Sequence, residues 1–337
     1  MLYSKGGRKA PELERLAAFG FTSVCYYGMD AVGPWAEAME ATRRHGLKAW
    51  LVFPDWPLLG LCGANDGFRT FDGWSSSLQG DDNCEGPSYW HPEADAIALG
   101  WLRENIEALQ PDGLLLSPRY GDTHYPAPFC NAHWDHHTHC RKFWCWDEWA
   151  QKEWSELEGH PLPPVGMVRS DDGSIVHPGN QFYRWYVGKP WERIGRYTTA
   201  ASELGVRRLA TWYVPFTYWS LETMAMGTAG SMRCVKDWVA GASAVGAAHL
   251  LVAACMFAQP ALVRSSVMSA GAEAARWHGW DWIAGVEAGV APERMSDTIL
   301  RNLAERKALG LGGYFVSDKH IGTPNEFEFL SLFRGVE

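Results

Sequence analysis

Residues Lys48–Asp55, with the sequence Lys-Ala-Trp-Leu-Val-Phe-Pro-Asp, form a short apolar run that ends in a proline and an acid. A run of this kind predicts a β-strand. The stretch before it, Trp35–His45, has helical periodicity, begins after Gly33-Pro34 and stops at Gly46. Together the two segments predict one helix–strand step of an α/β fold.

The same step recurs along the chain. Eight apolar runs can be distinguished: Leu2–Lys5, Thr22–Met29, Lys48–Asp55, Gly113–Asp122, Arg207–Val214, His249–Phe257, Trp282–Gly289 and Gly313–Asp318. Helix-like segments lie between them, most clearly Lys9–Phe19, Trp35–His45, Glu93–Gln110 and Ser296–Gly310. Eight strand–helix alternations predict a (β/α)8 barrel, the TIM barrel of the α/β class. In such a barrel the chemistry lies on the loops that follow the strands.

The chain has 337 residues, whereas a typical barrel has about 250. The excess falls mainly after strand four, where the path from Thr123 to Gly205 contains a His/Cys/Trp-rich segment, an acidic helix at Trp146–Glu158 and a helix from Gln181 to Leu204. We therefore expect one barrel domain, residues 1–337, with a Cys/His/Trp-rich subdomain inserted at about 123–180 after strand four.

Composition narrows the function classes. The net charge of −9 and the lack of a basic stripe argue against a nucleic-acid partner. The chain contains no run of about 18 apolar residues, so the sequence predicts no transmembrane helix. The opening Met-Leu-Tyr-Ser-Lys-Gly-Gly does not resemble a signal peptide. We expect a cytoplasmic protein without a membrane partner. A secreted mature domain and a homo-oligomer stay open as alternatives.

The 19 tryptophans are the most skewed feature of the composition. Aromatic rings pack against the C–H faces of sugars and leave polar groups to bond the hydroxyls. Roughly half of the tryptophans are expected to fill gaps between strands and helices, but others lie where loops are expected: Trp56, Trp74, Trp90, Trp134 and Trp219. We predict that Trp56 and Trp219, with Tyr213, form stacking walls around a carbohydrate.

Two carboxylates are placed to hydrolyse a glycosidic bond. Glu287 lies in the otherwise apolar Ile-Ala-Gly-Val-Glu-Ala-Gly, where burial would make its charge costly without a partner or a function. Asp122 ends the strand-four run, roughly opposite strand seven in a barrel mouth. The pair predicts a retaining glycoside hydrolase, with Glu287 as nucleophile and Asp122 as acid/base. The alternatives are a structural, Arg-paired Glu287 and a turn-forming Asp122.

Other polar and aromatic residues follow the predicted strands and are expected to bind an oligosaccharide or glycoside substrate. The set comprises Asp55, Trp56, Arg119, His124, Tyr213, Trp219, Glu222 and Asp318. Asp55 and Asp318 are predicted to accept hydrogen bonds from substrate hydroxyls. Arg119 is expected to orient a carboxylate, because a guanidinium binds one in bidentate fashion.

The strand-four region resembles a group of glycoside-hydrolase-like barrels that includes the family-42 β-galactosidases and related uncharacterised families. The resemblance rests on Gly113-Leu-Leu-Leu-Ser-Pro-Arg-Tyr-Gly-Asp122, which is followed by Cys130, Cys140, Arg141, Phe143 and an acidic helix. Members of the group carry a "DG-I-x-L-D-x-x-R-Y" strand four before a Cys-containing segment. The helix that begins Gln181-Phe-Tyr-Arg-Trp-Tyr is also similar, so the likeness spans about Asp112–Gly205.

This chain departs from that group at the acid. The usual strand-four acid is a Glu after Asn, no such pair occurs here, and Ser117 stands where relatives often carry Asp. The group's strand-seven nucleophile is a Glu, so the resemblance implies a catalytic Glu287 more strongly than a catalytic Asp122. The missing acid supports a second hypothesis, a non-catalytic carbohydrate-binding pseudoglycosidase.

A His/Cys segment raises the question of a metal. Thiolates and imidazoles are the ligands zinc prefers, and the resemblance implies a structural zinc on Cys130, His139, Cys140 and Cys145. The spacing contains no C-x2-C or H-x3-H pair, so a His-rich surface loop with reduced cysteines is the favoured interpretation. No cofactor is expected to be required. A metal-dependent hydrolase or lyase built on this segment is the third hypothesis.

Overall fold

A computed structural model describes residues 1–4, 7–26, 32–53, 90, 92–116, 148–161, 181–213, 240, 243–244, 250–253, 261–286, 292–310 and 312–334. The chain divides into two compact units. The first consists of Met1–Phe53, Arg103–Ser117 and Thr198–Glu337, and the second of Pro54–Leu102 and Pro118–Tyr197. Most of the predicted insertion at 123–180 lies outside the described residues, so the inserted subdomain stays a prediction.

The first unit contains a closed ring of eight parallel strands. The strands are β1 (Leu2–Ser4), β2 (Ser23–Tyr26), β3 (Lys48–Phe53), β4 (Gly113–Leu116), β5 (Leu209–Tyr213), β6 (Leu250–Ala253), β7 (Asp281–Val286) and β8 (Tyr314–Ser317). Each strand pairs with the next in chain order, and β8 pairs with β1. Every strand overlaps its predicted run, so an α/β fold with a parallel sheet is confirmed.

Helices connect most of these strands. Those described are α1 (Ala10–Ala18), α2 (Val32–Arg44), α3 (Ala94–Leu109), α4 (Glu148–Glu158), α5 (Gln181–Glu203), α6 (Ala261–Trp277), α7 (Pro292–Lys307) and α8 (Glu326–Ser331). The predicted helices at Lys9–Phe19, Trp35–His45, Glu93–Gln110 and Ser296–Gly310 are confirmed within a few residues. Most of the connection between β5 and β6 lies outside the described residues, so a helix after every strand is not established. No helix in the described part is long and apolar enough to cross a membrane.

Local sequence explains where α1 begins and ends. Pro11 lies in the first turn, where a missing backbone N–H costs nothing, and the Glu12 carboxylate accepts the backbone N–H of Lys9 at 3.1 Å. The helix buries Leu13 and Leu16. Gly20 follows the helix with a φ of +86°, a left-handed conformation that glycine adopts without steric cost.

The ring encloses an apolar interior. Its buried cluster consists of Cys25, Trp50, Val52, Leu115, Ala210 and Phe315, and Met1 and Ile283 pack against it. Register explains the cluster, since Cys25 is level with Trp50 and Trp50 is level with Gly113. The Trp50 ring lies so close to Gly113 that a Cβ added there would be 2.7 Å from it. Glycine at position 113 therefore makes room for the indole.

Candidate functional site

The carboxyl ends of the eight parallel strands meet at one edge of the ring, where barrels of this kind carry their sites. Most predicted site residues lie beyond these ends and outside the described residues: Asp55, Trp56, Arg119, Asp122, His124, Trp219, Glu222 and Glu287. The predicted zinc ligands Cys130, His139, Cys140 and Cys145 also lie outside them. Their roles stay predictions. Asp318 is fully described, and Tyr213 is described by its backbone.

Asp318 follows β8 and is held by two residues near the end of β1. Its Oδ2 accepts a hydrogen bond from the Ser4 hydroxyl at 2.9 Å and another from Arg8 Nη2 at 2.8 Å. The Ser4 side chain is fully buried. The Asp318 carboxylate therefore joins the end of β8 to the end of β1 and to the segment that precedes α1, where the ring closes.

Arg8 lies between two carboxylates. Its guanidinium contacts Asp318 at 2.8 Å and Glu12 at 3.8 Å, and the three side chains are 15–18% exposed. Such a set carries one positive and two negative charges. Arg8 is therefore placed to hold and orient the Asp318 carboxylate. A substrate-binding role for Asp318 stays a prediction beside this structural one.

Ser317, the residue before Asp318, belongs to the other face of β8. It is in register with Tyr3, which is in register with Cys25 of the interior cluster. Phe315, two residues earlier, is in that cluster as well. Successive residues of a strand alternate between faces, so Ser317 faces the interior and Asp318 the helices. Sequence reasoning did not single out Ser317, because its facing can be counted only once Phe315 is known to belong to the interior cluster.

Register also separates two aromatic residues at the end of β5. Trp212 is in register with Val252, and Val252 with Ile283, which packs against the interior cluster. Tyr213, the last residue of the strand, is in register with Ala253. The two residues therefore occupy alternate positions, and the stacking role of Tyr213 stays a prediction.

A second carboxylate fixes the loop that follows β8. Glu326 is buried, and it accepts hydrogen bonds from Arg15 Nε at 2.5 Å and from the backbone N–H of Gly322 at 2.7 Å. Burial acts to raise the pKa of Glu326, but these hydrogen bonds and the charge of Arg15 outweigh it and hold the pKa below its usual value. Glu326 is therefore a structural anion at neutral pH.

Metal binding is not visible in the part of the chain that the structure covers. Among the described residues, no group of three or more His, Cys, Asp or Glu side chains is placed to hold a metal ion. Cys25 is buried in the interior cluster as a free thiol, and burial raises its pKa. A thiol of this kind is a small apolar core residue rather than a metal ligand.

Comparison with known proteins finds no protein-family model and no curated protein that matches the chain. Solved structures do match. A GH18 chitinase from Pseudoalteromonas aurantia is 9% identical with a TM-score of 0.45, over 99% of this chain and 97% of that one. A family 1 β-glucosidase from Thermotoga maritima is 8% identical with a TM-score of 0.44, over 91% of this chain and 75% of that one.

An enzyme of a different description matches equally well. Thiamine phosphate pyrophosphorylase from Pyrococcus furiosus is 10% identical with a TM-score of 0.43, over 99% of this chain and 94% of that one. Glycoside hydrolases are thus among the solved structures that match the chain. All these TM-scores are below 0.5, so none of the similarities supports a particular reaction.

Proposed function

We propose that the protein is a glycoside hydrolase that uses a retaining, two-carboxylate mechanism on a complete (β/α)8 barrel related to the family-42-like group. The observation that carries this proposal is the position of Glu287 in the chain. It comes directly after β7, which ends at the buried Val286 and pairs in parallel with β8. A carboxylate immediately beyond a barrel strand is a candidate for catalysis.

Alternation along β7 supports an inward position for this carboxylate. Ile283 packs against the interior cluster, and Gly285 is in register with Phe315 of that cluster. Glu287 has the same parity in the sequence as Ile283 and Gly285, so the proposal assigns it to that face. An ionised carboxylate beside an apolar interior loses hydration at a large cost, and a positioned partner or substrate is expected to offset it.

The proposed mechanism assigns one role to each carboxylate. Glu287 attacks the anomeric carbon while Asp122 donates its proton to the departing glycosidic oxygen, and a covalent glycosyl ester forms. Asp122 then takes a proton from water, whose oxygen displaces Glu287 and restores both groups. Arg119 is assigned to orient a carboxylate, and Trp56, Tyr213 and Trp219 to stack on sugar rings. Asp55, His124, Glu222 and Asp318 are assigned to bind the hydroxyls.

The test is hydrolysis of a panel of aryl glycosides and oligosaccharides by the wild type and by Glu287→Gln. Loss of the nucleophile should lower kcat/KM on the order of a thousandfold or more. Glu293→Gln is the matched control, because Glu293 lies exposed in the first turn of α7 and the substitution is chemically the same. The control should retain wild-type kinetics.

Other outcomes would redirect the assignment. An active Glu287→Gln enzyme contradicts the nucleophile. A wild type that binds sugars by calorimetry but hydrolyses none supports the pseudoglycosidase instead. Metal analysis of active protein tests the third hypothesis, because activity in metal-free protein excludes a metal-dependent hydrolase or lyase.

A further inference from the structure

The two polar residues at the end of β8 face opposite ways, and only one of them has been given a place in the proposed site. We infer that Ser317 is a substrate-contacting residue, whose hydroxyl hydrogen-bonds a neutral, polyhydroxylated ligand at the carboxyl edge of the ring. The inference rests on the proposed function, because it supplies the strand-eight contact of the same site.

Strand register indicates on which face of the sheet Ser317 lies. Its partner Tyr3 is level with Cys25, and Cys25 is level with Trp50, so this line of residues crosses the interior face of four neighbouring strands. Cys25 and Trp50 both belong to the interior cluster. Asp318, the next residue, contacts Ser4 and Arg8 on the opposite face. An interior Ser317 and an outward Asp318 agree with the alternation of successive residues between the two faces of a strand.

Exposure changes along that interior face. Phe315 is fully buried, whereas Ser317 is partly exposed. Along the inward face of β8, solvent therefore does not reach Phe315 but does reach Ser317. Ligand sites are mostly apolar cavities with a small number of placed polar groups. A partly exposed serine on the inward face of a strand, two residues beyond a buried Phe315, matches that description.

The hydroxyl of Ser317 has one long contact with the backbone. Its Oγ accepts the backbone N–H of Lys319 at 3.4 Å. A serine hydroxyl has one proton to donate and two acceptor lone pairs. This contact uses an acceptor, and it leaves the proton for an acceptor elsewhere, such as a sugar hydroxyl oxygen.

The chemistry of this group selects a class of ligand. A serine hydroxyl carries no charge, so it does not favour an anion or a cation. The nearby guanidinium of Arg8 is on the other face and is paired with Asp318 and Glu12. The described part of this edge therefore offers a neutral donor to the interior, which suits an uncharged carbohydrate.

The test compares Ser317→Ala, Ser317→Thr and Ser331→Ala with the wild type on a glycoside from the active panel. Loss of one neutral hydrogen bond should lower kcat/KM of Ser317→Ala about twofold to tenfold. Ser317→Thr keeps the hydroxyl and should recover most of the loss. Ser331 is exposed in α8, so Ser331→Ala is the matched control and should leave kcat/KM unchanged.

Thermal unfolding separates a contact from a structural role, since the inference expects the same melting temperature for Ser317→Ala and Ser331→Ala. Unchanged kcat/KM in Ser317→Ala, beside an active wild type and an inactive Glu287→Gln, overturns this inference alone. Weaker sugar binding by Ser317→Ala in a protein that hydrolyses nothing supports the contact and overturns the glycosidase. A wild type that neither hydrolyses nor binds sugars overturns both.

Discussion

The two units of the protein differ in the side-chain interactions that the structure shows inside each of them. In the ring unit, a buried apolar cluster fills the space between parallel strands. In the described part of the second unit, side chains gather around two carboxylates. Glu153 accepts hydrogen bonds from the indole N–H groups of Trp90 and Trp185, each at 2.9 Å, and from Lys189 at 2.5 Å.

Asp95 is the second of the two carboxylates around which side chains gather in the second unit. It accepts a hydrogen bond from Arg193 at 2.5 Å, another from Arg196, and one from the hydroxyl of Tyr197 at 3.2 Å. The guanidinium of Arg193 is buried. Apolar contacts depend on volume, whereas these contacts depend on charge and direction. Substitutions that change volume should therefore damage the ring most, and substitutions that change charge should damage the second unit most.

Gly113→Ala should produce the largest loss of stability. The added Cβ would meet the buried Trp50 ring at 2.7 Å, and the strand and the indole would both have to move. Overpacking of this kind costs about 1–3 kcal/mol of the free energy of unfolding. Urea-induced unfolding followed by circular dichroism measures it.

Gly100→Ala is the matched control for that prediction. Gly100 lies within α3, and a Cβ added there meets nothing within 4 Å. Alanine in a helix interior is about 0.5–1 kcal/mol more favourable than glycine, so this variant should be more stable than the wild type. Equal effects of the two substitutions would contradict the importance of volume in the ring.

Glu153→Gln tests the charge dependence of the second unit. Burial acts to raise the pKa of Glu153, but hydrogen bonds from Lys189 and Trp185 and the charge of Lys189 outweigh it and hold the pKa low. The carboxylate is therefore ionised at neutral pH. Its side chain is 39% exposed, so solvent screens the ion pair. A loss of roughly 1–2 kcal/mol is expected.

Amide hydrogen exchange in α4 and α5 measures this loss where it occurs. Glu156→Gln is the matched control, because Glu156 lies one turn from Glu153 but is 68% exposed and pairs only at 3.8 Å with Lys152. Its expected effect is below about 0.5 kcal/mol. Faster exchange in both variants alike would show that helix charge, and not the Glu153 cluster, sets the stability.

The sequence was sufficient for the strands because their signal is local. Within Lys48–Asp55 the residues from Ala49 to Pro54 are all apolar, and β3 occupies Lys48–Phe53. The same is true of α1, whose start depends on Pro11 and Glu12. Such features require no knowledge of neighbouring elements, so composition and periodicity are enough to predict them.

The candidate site is harder to predict from the sequence, because the face of the sheet on which a side chain lies depends on strand register. Asp318 is predicted to bind substrate hydroxyls, and that role stays a prediction; the residues that hold its carboxylate, Ser4 and Arg8, come from the other end of the chain. Ser317 was overlooked because a single serine carries no sequence signal. Trp90 lies in a turn, as expected, but its contact was not predicted: it is buried and packs on Trp185 with ring centroids 4.7 Å apart. Only the pairing of distant segments reveals such roles.

Glu326, in the ring unit, is a more buried carboxylate than Glu153. Its side chain is 10% exposed. Its pKa is held below the usual value by Arg15 and the Gly322 N–H. A lowered carboxyl pKa stabilises the folded state fully above the unfolded pKa of about 4.3, and this stability is lost as the pH falls through the folded pKa. Glu326→Gln has no charge to lose.

The stability difference between the wild type and Glu326→Gln should therefore be constant from pH 7 to about pH 5 and shrink as the pH falls further. Urea midpoints measured from pH 7 to about pH 3 test it. Glu37→Gln, on the exposed face of α2, is the control and should differ little from the wild type at any pH. A difference for Glu326→Gln that persists undiminished to the lowest pH would show that shape rather than charge holds Glu326. The charge of Glu326 would then contribute nothing to the stability of the ring unit. The contrast with the second unit, whose side chains gather around carboxylates, would be sharper.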